Sequence, residues 1–154
     1  MFSIITFPSY LGQRLKSSQN TPLNFLKYIK YNKKGVYHIE TQKKDIIQNL
    51  YQLYNLNQKI LGPKINIGGD HSMAISTIAS NLQKFPNLKV VWIDAHPDIN
   101  TFKSSTTKNI HGMPLAYLTG LDEFLNIDFI RNKLNFENLL YIGIRDIDPF
   151  EKEI

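Results

Sequence analysis

"LKVVWIDAHPDIN", residues 88–100, joins a continuous apolar run to a segment with an acid, an imidazole and an acid at every other position. The apolar half reads as a strand buried on both faces, as in parallel sheets covered by helices on either side. The polar half starts where that strand ends, and open parallel sheets bind ligands beyond the carboxyl ends of their strands. Asp94, His96 and Asp98 at i, i+2 and i+4 share one face of an extended chain, and Pro97 suits a strand that is ending because it donates no ladder bond. Each residue alone has an ordinary reading, as a turn cap or a packed histidine. Crowded together without a cation they would repel or need unusual protonation, so the trio reads as a metal site.

Working outward, β-prone runs recur at 2–7, 35–40, 64–68 and 138–144, besides 88–94. Helical patterns lie between them. "TPLNFLKYIKYN" (21–32) offers Thr21 as N-cap and Pro22 in the first turn, and residues 41–61 repeat apolar side chains at three and four. A third helix spans 72–85, capped by Ser72 and closed before Pro86, and a short helix follows His111. "NTFKSSTTKN" (100–109) is polar and reads as a loop. Strands alternating with helices give an α/β fold with a mainly parallel sheet. The chain has 154 residues, 42% of them hydrophobic, enough for one domain with its own core.

With zero cysteines, any metal must be held by nitrogen and oxygen ligands, and a disulfide framework is excluded. No apolar run approaches the roughly 18 residues that cross a bilayer, and the N-terminus lacks the pattern of a signal peptide. The expectation is a soluble, cytoplasmic protein without a membrane partner. Net charge +5 is spread along the chain, with short pairs only at Lys33-Lys34 and Lys43-Lys44. No arginine-rich block or basic aromatic strand accompanies it, so no nucleic-acid partner is expected.

"GGDHS" (68–72) strengthens the metal reading. Its glycines permit a tight turn, Asp70 can orient a neighbour as an acceptor, and His71 sits at the mouth of the next helix. Mixed carboxylate and imidazole ligands without sulfur suit manganese, iron or zinc, and shared carboxylates suit a two-metal centre. In "NIHGMPLAYLTG" (109–120), His111 follows the polar loop; it reads either as a helix-entry histidine or as a proton carrier at the rim of the site.

"GGDHS", "DAHPDIN" and "HGMPL", in this order, resemble the ureohydrolase family, and the ten-residue loop leading to His111 resembles arginase more than agmatinase. "GQR" (12–14) and "TP" (21–22) resemble the arginase N-terminal pattern, and "YIGIRDIDPFE" (141–151) its segment that holds the substrate's amino group. The resemblance implies a three-layer α/β/α fold, of which residues 1–154 form the N-terminal part of a single domain. It implies two manganese ions activating water for attack on L-arginine, giving L-ornithine and urea, in arginine metabolism and the urea cycle. His71, Asp94 and Asp98 would bind one ion, His96 the other, and Asp94 would bridge them. His111 would be the catalytic proton carrier. Asn100, Ser105 and Thr107 would meet the substrate carboxylate, and Asp148 and Glu151 its α-amino group. Partners implied are L-arginine and a homotrimer, or a complementary C-terminal half.

Arginases are about twice this long, and their second half carries an S-x-D-x-D-x-x-D-P pattern that is absent from this sequence. Four of the six usual metal ligands are therefore expected here, which leaves a truncated, inactive remnant or interaction partner as the alternative. Asp146 and Asp148 of "RDIDP" match the substrate loop rather than that pattern. Lys108 and Phe150 stand where arginases often have glycine, and are expected to narrow the substrate mouth.

Overall fold

The computed structural model describes residues 1–13, 15–29, 33–42 and 44–154. Arg14 of "GQR", residues 30–32 of the first expected helix and Lys43 of the second lysine pair lie outside the described residues. Strand β1 (Phe2–Phe7) is the centre of a three-stranded parallel sheet, flanked by β2 (Lys33–His38) and β3 (Lys64–Gly68). The register pairs Ile4 with Val36 on one side and with Ile65 on the other. Residues Ser3, Ile4, Ile5, Thr6 and Phe7 are all buried, as a central parallel strand requires. Ile5 and Phe7 join the main core with Leu50 and Leu53 of α2 (Ile46–Lys59) and Ile75 of α3 (Met73–Leu82), while α1 (Thr21–Leu26) lies against β1 and β3.

A second parallel pair is formed by β4 (Val90–Ile93) and β5 (Leu139–Ile142), between which the chain runs through the 100–109 loop and α4 (Pro114–Thr119). Among the described residues no strand joins the two sheets. The expectation that "KVVWI" is buried on both faces is corrected here. Val90, Trp92, Leu139 and Tyr141 face the core, but Val91 (55% exposed), Ile93 (74%), Leu140 (57%) and Ile142 (47%) form a bare apolar face. The continuous apolar pattern marks a strand with two apolar faces; only one of them has a covering layer in this chain.

Helix starts are corrected by a few residues. α1 begins at Thr21 with Asn20, not Thr21, in the cap position, and Pro22 sits in its first turn as expected. α2 begins five residues later than expected because Asp45 caps it, its carboxylate accepting from the Gln48 N–H at 2.9 Å. Ser72 occupies the cap position of α3, but its hydroxyl donates to the Asp70 carboxylate instead of capping. No described helix is long and apolar enough to cross a membrane.

Candidate functional site

The chain beyond β3, the chain beyond β4 and the chain beyond β5 meet at one end of the molecule and enclose a cavity of about 620 Å³. Its wall includes His71 from the first, Asp94, His96, Asp98 and Asn100 from the second, and Asp146, Asp148 and Glu151 from the third. The 100–109 loop, irregular as expected, contributes Ser105, Thr106 and Thr107, and His111 follows it. All ten residues singled out from sequence therefore line a single cleft.

At its base, His71, Asp94 and Asp98 each turn a ligand atom toward the others, all within 4.8 Å of one another. The His71 Nδ1 lies 2.7 Å from Asp98 Oδ2 and 3.3 Å from Asp94 Oδ2. This is not achieved by an extended chain. Residues 94–96 bend, and Asp98 takes φ +49°, a left-handed conformation costly for a non-glycine residue and frequent at functional sites. The bend brings Asp98 back toward Asp94 and sends His96 outward, so His96 stands outside the three-residue group. Its Nδ1 is 3.5 Å from Asp94 Oδ1 and its Nε2 is 3.5 Å from Asp146 Oδ2. Burial raises the Asp94 carboxyl, but the backbone N–H of His96, the His71 ring, the N–H of Ala95 and the His96 ring together hold it below the ordinary carboxylate range.

The groups around the base already hold one another in place. Asn100 donates from Nδ2 to Asp148 at 2.8 Å and accepts from the Ser104 hydroxyl at 2.8 Å. The two carboxylate oxygens of Glu151 accept from the backbone N–H groups of Ile99 and Asp148 at 3.1 and 3.0 Å, clamping the end of one loop against the next. Ser105 and Thr107 accept from the N–H groups of Lys108 and Asn109. Lys108 and Phe150 are not among the residues lining the cleft. The Lys108 ammonium folds back onto the carbonyls of Phe102 and Lys103 and over the Phe102 ring. The backbone at Lys108 has φ +58°, the conformation that favours glycine there.

Two supports escaped the sequence reading. The Trp92 ring stacks beneath His71 with centroids 4.4 Å apart, and its position two residues before Asp94, on the same strand face, was the available signal. The Gly12 carbonyl meets His111 Nδ1 at 3.1 Å across 99 residues of sequence, a contact no local pattern foretells.

The donor set of one imidazole nitrogen and two carboxylates, in a chain with zero cysteines, fits a divalent cation such as manganese, iron or zinc.

A profile of the Arginase family matches residues 8–154. Arginase from Schizosaccharomyces pombe is 35% identical over 152 residues, covering 97% of this chain and 43% of that protein. Arginase from Saccharomyces cerevisiae is 34% identical over 125 residues, covering 75% of this chain and 38% of that one. Among solved structures, Entamoeba histolytica arginase in complex with L-ornithine superposes with TM-score 0.83 at 30% identity, over 98% of this chain and 60% of that one. Bacillus subtilis arginase gives TM-score 0.85 at 29% identity, over 99% and 59%. The chain thus spans less than two thirds of the length of each, and on the match of fold, motifs and cleft it belongs to the Arginase family.

Proposed function

We propose that this chain supplies the metal-binding and head-group-binding part of an arginase-type hydrolase, converting L-arginine and water to L-ornithine and urea at a binuclear manganese centre. The observation that carries the reading is the convergence of His71, Asp94 and Asp98 to within 4.8 Å, at the base of a cleft whose rim bears the residues for an amino-acid head group. Asn100, Ser105 and Thr107 offer amide and hydroxyl groups to the substrate carboxylate, while Asp148 and Glu151 place negative charge opposite its ammonium. The reaction adds water oxygen to the guanidinium carbon and breaks that carbon's bond to the side-chain nitrogen, which leaves as the ornithine amine after taking a proton. His111, on the cleft wall, is the group suited to carry that proton. Manganese, when bound, supplies the Lewis acidity that makes water a competent nucleophile at neutral pH. His96 and the Asp94 edge beside it would contribute to the second ion. The L-ornithine in the Entamoeba structure is the product this reading assigns.

A second reading, in which these 154 residues by themselves hold metal without turning over substrate, is favoured by the bare face of β4 and β5. On that reading it works with a complementary C-terminal half, or as a partner of a complete arginase, in a cytoplasmic setting and within the trimer typical of the family. The test is urea release from L-arginine with manganese, by the chain alone and mixed with a separately produced C-terminal half of the Bacillus subtilis enzyme, with Asp94→Ala as control. Urea from the mixture that vanishes in the control is expected. Absence of Asp94-dependent urea from both samples would refute the enzyme reading, and Asp94-dependent urea from the chain alone would refute the second.

A further inference from the structure

Asp70 lies between His71 and β3 in the chain, is 7% exposed, and is not one of the three residues of the metal group. Its carboxylate is fully engaged: Oδ2 accepts from the Gly12 N–H at 2.9 Å, and Oδ1 accepts from the Ser72 N–H at 3.0 Å and from the Ser72 hydroxyl. A buried carboxylate with three donors is a rigid anchor, because any loosening leaves a charge without partners. What it anchors is the N–H of Gly12, one bond from the Cα that carries the Gly12 carbonyl. A side chain there would bring a Cβ to 2.5 Å from Asp70 Oδ1 and 2.8 Å from Ser72 Cβ, so only glycine allows the approach.

The other end of Gly12 faces His111. The Gly12 carbonyl accepts from the His111 backbone N–H at 3.2 Å and meets His111 Nδ1 at 3.1 Å. A carbonyl oxygen has no proton to give, so this contact is a hydrogen bond only if Nδ1 carries one. In a neutral imidazole that leaves Nε2 with its lone pair, and Nε2 makes no hydrogen bond or ion pair among the described residues. The proton of one ring nitrogen is thus set by the hydrogen bond of the other.

We propose that Asp70 is a positioning residue for His111, acting through the backbone of Gly12 to hold the ring as its Nδ1–H tautomer with Nε2 free to exchange a proton in the cleft. This rests on the reading of His111 as the proton carrier and adds how its basic nitrogen is selected. A free histidine side chain in water favours the opposite tautomer, so the arrangement has a distinct signature.

The test is a long-range ¹H–¹⁵N correlation spectrum of the whole chain labelled at histidine, with the His111 signals assigned by their loss in His111→Gln. The Nδ1–H form at His111 is expected to predominate about tenfold when the ring is neutral. Asp70→Ala, checked for folding by circular dichroism, is expected to lower that ratio several-fold. If Asp70→Ala does not fold, Asp70→Asn decides: it keeps the volume, but one acceptor oxygen must serve both Gly12 and Ser72, so the ratio falls less. A wild-type ring in the Nε2–H form overturns the proposal without any variant, and an unchanged ratio in either folded variant overturns the role of Asp70. Failure of the arginase reading would show instead as absent urea with the tautomer intact.

Discussion

Gly69 sits where the turn after β3 presses against the first segment of the chain. Its N–H donates to the Phe7 carbonyl at 2.9 Å, and a Cβ would run into the backbone oxygens of Ser9 and Ser18. Backbone cannot swing aside as a side-chain end can. Gly69→Ala is therefore expected to destabilise the chain by about 2–3 kcal/mol in chemical denaturation, the upper part of the range for overpacking. Asp94 shows the opposite effect, stabilisation by its neighbours. Its carboxyl is depressed in the folded state, so its contribution is present above the unfolded value and is lost as pH falls through the folded one. Metal-free Asp94→Asn should be less stable than wild type at neutral pH, and thermal melts should show that gap closing below about pH 4; a gap independent of pH would contradict it. Asp94 and Asp98 were named from an alternation that the chain does not keep; the bend at 94–96 brings them together by another route. His96 was read the same way but stands apart, because the bend at 94–96 and the positive φ of Asp98 answer to the loop's surroundings, which no local pattern reveals.

At the scale of elements, periodicity located every strand and the long helices, and erred where a cap competed with it. Apolar spacing carried α2 back to residue 41, whereas Asp45 three residues before Gln48 is the start signal that the structure uses. The apolar run of β4 was legible as a strand but not as a half-covered one, since periodicity reports two apolar faces and not what lies on them. Val91 pairs with Leu140 and Ile93 with Ile142, so four side chains form one patch. Covering them would contribute roughly 1 kcal/mol apiece. Ile93, 74% exposed, is the most open of the four. Ile93→Lys should change the stability of this chain by no more than about 0.5 kcal/mol, as for a surface position. The same variant should abolish the urea released on mixing with a C-terminal half; undiminished urea would mean that the face is not where that half docks.

Over the whole molecule, charge is distributed against its own average. The chain carries a net +5, yet Asp94, Asp98, Asp146, Asp148 and Glu151 all line one cleft. Such a concentration draws cations to the site even though the protein as a whole repels them. Family, fold class and the membership of the cleft were legible because motifs carry residue types in fixed order. The second-sphere contacts were not, because Trp92 under His71 and Gly12 against His111 depend on how distant segments pack. Whether His71, Asp94 and Asp98 hold a metal ion is decided by manganese stoichiometry measured by electron paramagnetic resonance. One tightly held ion per chain is expected, with affinity weakened on the order of a hundredfold or more in a folded Asp98→Ala variant. No stoichiometric ion in the wild type, or an ion held equally well by the variant, would contradict it.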